Sequence, residues 1–339
     1  MDSLGPDEDQ CTEVRVLNRV IRWSKQGLQY ELDQRHAEKV VRELGLENAK
    51  PVSTPWVEEQ SNDKVNPMMN QELTRDEATR FRGIAARINY LAADRYDLLY
   101  ASKCVSRWLS SPTHQAFERL KRIGRYLKGK PRLVQHFPWG DKIDVLEGFA
   151  DSDWAGDKNT LKSTSGGAIL IGGHCLKAWS TSQNTIALSS GEAELYAMTK
   201  VAVQLAGITS LAADFGWQLK GVARSDSNAA IGIAHRGGLG GRCRHIKVQY
   251  LWIQEKIKNK ELGLEKVLGS DNCADLMTKA LGGELFEKYV KMLNFEKLEG
   301  RAEKSSELMN VLTPSAVQTS SVGGCKHSPF VHRRYQWSC

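Results

Sequence analysis

From residue 143 to residue 299 the chain switches repeatedly between two hydrophobic periods, and the order of the switches constrains the fold more than any other feature. Leu146–Trp154, Gly166–Gly173 and Leu176–Ser180 read as strands, the second closed by a Gly-Gly turn. Their close spacing predicts an antiparallel meander. A long helix is expected from near Ser190 to about Phe215, with Leu195, Met198, Val201, Leu205, Ile208 and Leu211 among its apolar residues. A strand at Val222–Ser225, helices at Ala229–His235 and His245–Lys258, a strand at Leu262–Leu268 and a short helix at Ala274–Leu281 follow. The order β-β-β-α-β-α-α-β-α implies an α/β fold, a mixed five-stranded sheet with helices on both faces.

Four acidic residues fall at the junctions of these elements. Asp151 lies late in the first strand, Glu194 in the first turns of the long helix, Asp226 at the end of the fourth strand and Asp275 at the start of the last helix. Carboxylates in apolar surroundings are costly unless something positive holds them. Oxygen ligands without histidine or cysteine suit Mg²⁺ or Mn²⁺ rather than zinc. Converging here, they would hold two ions about 3.5–4 Å apart with a phosphodiester between them. Each has a competitor. Asp153 shares a strand face with Asp151, so periodicity does not separate them. Glu192 competes with Glu194, though Ser189-Gly191-Glu192 resembles a capping box that gives Glu192 a structural task. Asp226 and Asp275 also suit helix starts.

The first 140 residues read differently. Residues 14–32 suggest a β-hairpin turning at Ser24-Lys25-Gln26-Gly27, and a helix follows from about Gln34 to Gly45. Residues 48–73, with Pro51, Pro55 and Pro67, read as a linker. Residues 74–140 are helical and basic, opening on a capping box at Thr74-Arg75-Asp76-Glu77. One helix carries Phe117, Leu120, Ile123 and Leu127 on one side and Arg119, Arg122, Arg125 and Lys128 on the other. That one-sided positive surface is a candidate for tracking nucleic-acid phosphates.

The balance of charge agrees with a polyanionic partner: the 339 residues carry a formal +7. Seven dispersed cysteines without a CxxC pair argue against a disulfide framework and for a reducing compartment. The acidic N-terminus lacks the apolar stretch of a signal peptide, and no apolar run is read as membrane-spanning. A soluble, intracellular protein, cytoplasmic or nuclear, is expected, with no membrane partner. Residues 300–339 are rich in Ser, Thr, Gly and Val and are expected to be disordered.

Gly148 to about Leu281 resembles the ribonuclease H domain of copia-type retrotransposon Pol polyproteins. The motifs that carry the resemblance are Ala150-Asp151-Ser152-Asp153-Trp154-Ala155-Gly156-Asp157, Lys162-Ser163-Thr164-Ser165-Gly166-Gly167, Ala187-Leu188-Ser189-Ser190-Gly191-Glu192-Ala193-Glu194, Ser225-Asp226-Ser227-Asn228, Arg244-His245-Ile246 and Ala274-Asp275-Leu276-Met277-Thr278-Lys279. Ala49-Lys50-Pro51-Val52-Ser53-Thr54-Pro55 and the helices around Phe81–Leu91 and Leu120–Gly129 resemble the end of the reverse transcriptase of the same polyprotein. The resemblance implies a reverse-transcriptase remnant at 1–47, a linker at 48–73, a mainly helical connection segment at 74–140, a ribonuclease H-like domain at 141–299 and the tail at 300–339.

By the same resemblance the metal quartet is Asp151, Glu194, Asp226 and Asp275, holding two Mg²⁺ (or Mn²⁺) ions that cleave the RNA strand of RNA–DNA hybrids. A truncated copy without polymerase activity is expected, because the polymerase Tyr-x-Asp-Asp has no counterpart and no Asp-Asp pair occurs. The segment Val267–Asp271 offers no histidine of the kind that assists product release in cellular relatives, so slow turnover is expected. Ser189 and Ser190 are candidates for holding a phosphate at the helix start. Asn228 is a candidate for the minor groove, where the 2′-hydroxyl marks RNA. A non-catalytic nucleic-acid-binding remnant is the alternative.

Overall fold

The computed structural model describes residues 3–58, 67–140, 143–238, 240 and 243–305. These belong to one unit, Met1–Glu307. Most of the tail expected to be disordered, 306–339, lies outside the described residues.

The sheet expected from the sequence is present. It is built from β5 (Val145–Asp153), β6 (Thr164–Ile171), β7 (His174–Ser182), β8 (Lys220–Ser225) and β9 (Gly263–Lys266), in the order β7-β6-β5-β8-β9. The first three strands pair antiparallel, with the turn at Gly172-Gly173, both in the left-handed region. β8 lies parallel to β5, and β9 parallel to β8. The result is the mixed sheet of a ribonuclease H-like fold. α5 (Ser190–Asp214) crosses one face of it, with α6 (Asn228–His235) and α7 (Trp252–Lys258) alongside.

Two glycines set how closely the neighbours of the sheet approach. A Cβ on Gly148 would lie 2.4 Å from Val201 of α5, so this position brings the helix down onto the central strand. A Cβ on Gly166 would lie 2.6 Å from Thr278 and 2.9 Å from the Ala274 carbonyl on the opposite face. There the chain packs as a 3-10 turn, Cys273–Met277, where a short helix over Ala274–Leu281 was expected. The helix expected over His245–Lys258 is also shorter, a 3-10 turn at Val248–Tyr250 leading into α7.

α5 corrects one expectation. At 25 residues it is long and apolar enough to span a membrane by length and composition. Its apolarity has a packing reason. Leu195, Met198, Val201 and Leu205 are fully buried in the cluster that joins it to the sheet and to Ala230, Ala234 and Ile253 of the two smaller helices.

Alongside its helices the N-terminal part holds four strands of a second sheet. β1 (Glu13–Val16), β2 (Arg19–Ser24), β3 (Gly27–Glu31) and β4 (Leu133–Pro138) form an antiparallel sheet in sequence order. The expected single hairpin is thus the second of two, because Leu17 and Asn18, both at positive φ, make an additional two-residue turn. The last strand of this sheet is β10 (Phe295–Lys297), which follows α8 (Gly283–Met292) and pairs with β4. α1 (Arg35–Glu43), α2 (Arg75–Ala92), α3 (Leu99–Ser106) and α4 (His114–Gly129) pack in the same cluster of buried residues as Phe149, Ala168, Met277 and Phe286. α2 opens with the expected capping box, Thr74 and Glu77 exchanging hydrogen bonds.

Candidate metal centre

Asp151 sits on β5, two residues before its end, and is 2% exposed. Glu194 is on the second turn of α5, and Asp226 is the first residue beyond β8. The parallel pairing of β5 with β8 and the close seat of α5 on Gly148 bring the three together. One carboxylate oxygen of each lies within 4.8 Å of the others. Glu194 Oε1 accepts from the Ser152 backbone N–H at 3.3 Å, whereas its Oε2 is buried without a hydrogen-bond partner. A buried, unpartnered carboxylate oxygen beside two further carboxylates is the donor set of a hard divalent cation, so the residues fit Mg²⁺ or Mn²⁺.

Asp275 is not one of this trio but lies beside Asp151. It lies in the 3-10 turn, is 8% exposed and pairs with Lys279, whose Nζ is 3.0 Å from Asp275 Oδ1. The contact is an ion pair rather than a well-directed hydrogen bond, since that oxygen has no hydrogen-bond partner. The same ammonium stands 3.6 Å from Asp151 Oδ2, which also accepts a hydrogen bond from the fully buried Thr278 hydroxyl. Asn272 fixes the turn by donating to the Ala150 carbonyl at 2.9 Å.

The electrostatics follow from this crowding. Burial, then the charges of Asp151 and Asp226, push the Glu194 carboxyl up to about 8. Burial and Asp151 push Asp275 up to about 7 against the pull of Lys279. Asp226 is raised by burial and then by Asp151. Burial opposes the charge on Lys279, but Asp151 and Asp275 hold its pKa above the ordinary lysine range. Without a metal the site has more negative charge than it can carry comfortably.

Of the competing residues, Glu192 has another task. Asp153 lies against Gly156, where a Cβ would meet its carboxylate. Glu192 accepts from the Leu188 backbone N–H at 2.9 Å and from the Tyr196 hydroxyl, and pairs with His245 Nε2 at 2.8 Å. Burial works against its charge, yet Tyr196 and His245 hold its pKa below the usual range. Ser189 caps α5 by accepting from the Glu192 N–H at 3.2 Å, and Ser190 beside it is exposed. Ser227, not Asp226, caps α6, through the Ala230 N–H at 3.2 Å. Asn228 is exposed at the start of α6, and its Oδ1 accepts from Lys266 Nζ at 2.7 Å.

The basic residues of α4 turn inward onto the proline-containing segment. Arg119 donates to the Val57 carbonyl at 3.2 Å and Arg122 to Thr54 Oγ1 at 3.0 Å. Arg125 donates to the Lys50 carbonyl at 2.7 Å and Lys128 to the Ala49 carbonyl at 2.6 Å. All four are half-buried. The partners lie 62 to 79 positions upstream, which is why helical periodicity alone reads this face as open to phosphates. Sequence reasoning also assigned no task to Thr278 and Lys279. Their only signal was membership of the motif that contains Asp275.

No family model matches the chain. It is 30% identical over 252 residues to the retrovirus-related Pol polyprotein from transposon RE1 of Arabidopsis thaliana, an alignment covering 74% of this chain and 17% of the relative. It is 30% identical over 292 residues to the corresponding polyprotein from transposon TNT 1-94 of Nicotiana tabacum, covering 85% of this chain and 21% of the relative. Among solved structures, the N-terminal RNase H domain of a Mycobacterium tuberculosis protein aligns over 44% of this chain and 97% of its own, at 13% identity and a TM-score of 0.28. Over most of its length the chain is thus similar to retrovirus-related Pol polyproteins of plant transposons, and it spans 17–21% of the length of these relatives.

Proposed function

We propose that the protein is a divalent-metal-dependent nuclease that hydrolyses the RNA strand of RNA–DNA hybrids. The observation that carries this reading is the meeting of Asp151, Glu194 and Asp226, from three separate elements, with a buried Glu194 oxygen left unpartnered. Asp151, Glu194 and Asp226 would hold one ion, and Asp151 with Asp275 a second. Bound there, such ions supply an activated water and stabilise the leaving 3′ oxygen.

The protein's own residues position and screen. Thr278 fixes one oxygen of Asp151, and the Ser152 N–H fixes one oxygen of Glu194, whose other oxygen is buried without a hydrogen-bond partner. Ser190, exposed where α5 begins, offers a hydroxyl beside the backbone N–H groups of a helix start, a setting suited to a substrate phosphate. Asn228, tied to Lys266, presents an amide and an ammonium together at the rim, suited to a sugar edge and its phosphate. Each of the four α4 cations hydrogen-bonds to the 49–57 segment, and on this reading they have no part in substrate binding.

The deciding experiment is cleavage of an end-labelled RNA–DNA duplex in Mg²⁺ and in EDTA, with single-stranded RNA and duplex DNA as controls. Cleavage confined to the hybrid, dependent on Mg²⁺ and abolished in Asp151→Asn and Asp226→Asn, supports the reading. Hybrid binding without any cleavage in Mg²⁺ or Mn²⁺ would instead favour a non-catalytic binder.

A further inference from the structure

The quartet divides unevenly. Three carboxylates gather within 4.8 Å of one another, while the fourth shares the Lys279 ammonium with Asp151. Lys279 Nζ lies 3.0 Å from Asp275 Oδ1 and 3.6 Å from Asp151 Oδ2, the two residues that would share a second ion. Its side chain is 38% exposed, so it can withdraw to solvent without unfolding its surroundings. Lys279 follows directly on Thr278, whose hydroxyl anchors the same Asp151 oxygen, so the backbone that presents the ammonium is held in place.

Charge arithmetic sets the consequence. Two divalent ions and one ammonium carry one positive charge more than four carboxylates balance. A second dication and the Lys279 ammonium therefore compete for the space between Asp151 and Asp275. We infer that Lys279 is a built-in counter-cation: in the nucleic-acid-free protein it holds the second metal position, so that one divalent ion binds at Asp151, Glu194 and Asp226 and a second enters only by displacing this ammonium. The inference rests on the proposed metal centre and extends it. It makes Lys279 a positioning residue that separates the loading of the two ions.

The test is Mn²⁺ binding to the free protein, followed by calorimetry and by the electron paramagnetic resonance of unbound Mn²⁺. The wild type is expected to take up one ion tightly and a second weakly. Lys279→Met is expected to tighten the second site by about tenfold or more, within the usual range for coupled sites, while Lys279→Arg behaves as wild type. Equal second-ion affinity in wild type and Lys279→Met, with the first ion bound in both, overturns the inference and leaves the metal centre standing. Absence of any bound Mn²⁺ overturns both.

A measurement on the wild type alone guards against a variant that fails to fold. The rate of acylation of the Lys279 amine, read by peptide mass spectrometry, is expected to rise over the Mn²⁺ range in which the second ion binds. A rate that stays flat or falls across that range contradicts displacement.

Discussion

The hydroxyl of Thr278 donates to Asp151 Oδ2 across 127 positions of sequence. Together with the Asn272 bond to the Ala150 carbonyl, this bond joins the central strand of the sheet to the 3-10 turn that carries Asp275. Thr278 is fully buried and Asp151 nearly so. Thr278→Val therefore leaves a buried carboxylate short of a donor, at a cost of about 1.5–3 kcal/mol. Urea denaturation in EDTA is expected to show that loss, and Thr278→Ser is expected to recover most of it. Stability unchanged in Thr278→Val would mean the hydroxyl contributes nothing.

Metal and pH are linked through Glu194. Its carboxyl is raised from 4.5 to about 8 in the folded protein. A raised acid binds its proton more tightly when folded, so its contribution to stability is complete below about pH 4.5 and is lost as pH rises towards 8. Asp275, raised from 3.8 to about 7, acts in the same sense. The metal-free protein is thus expected to lose on the order of a few kcal/mol between these limits. A bound divalent ion removes the repulsion and should flatten the profile, because it binds the folded state alone. Melting curves at several pH values in EDTA and in Mg²⁺ test this. Parallel profiles in the two conditions would count against the assignment.

Glu192 and Glu194, two residues apart, are expected to fail differently. On the proposed reading Glu194→Gln removes a metal ligand and should abolish Mg²⁺-dependent cleavage with little loss of fold. Glu192→Ala strips partners from Tyr196, His245 and the Leu188 N–H. It should destabilise by about 2–4 kcal/mol while the folded fraction still binds Mn²⁺. Calorimetry and unfolding curves on the two variants distinguish a ligand from a brace.

The arginines of α4 give a prediction about salt. A phosphate contact removed from a duplex binder reduces the slope of log affinity against log salt by about 0.9. Arg125→Ala and Lys128→Ala are expected to leave that slope unchanged. Each should lower stability by about 0.5–1.5 kcal/mol through the lost bonds to the Lys50 and Ala49 carbonyls. A reduced slope would return these residues to the nucleic-acid surface.

Much of the nuclease-like sheet was legible because its signals are local. The alternation in β5, the Gly172-Gly173 turn and the apolar face of α5 each lie within one element. The carboxylates were legible for a related reason: an acid at the end of an apolar strand or the start of an apolar helix stands out. What escaped depends on distant partners. β10 has three residues, too few to show a period, and exists through its pairing with β4. Thr278 and Lys279 look like surface residues until the turn folds against Gly166. The α4 cations look solvated because the carbonyls they bind belong to a segment with no periodicity of its own.

The pairing of β10 with β4 decides where this chain can be divided. Phe295, Glu296 and Lys297 lie against Gln135, Val134 and Leu133, so the last strand after the nuclease-like sheet closes the sheet that begins near the N-terminus. A fragment cut near residue 140 would strip β4 of its neighbour on that side and leave Phe295 without its cover. The two halves are laced together by a returning thread, and proteolysis between them would nick the chain without parting it.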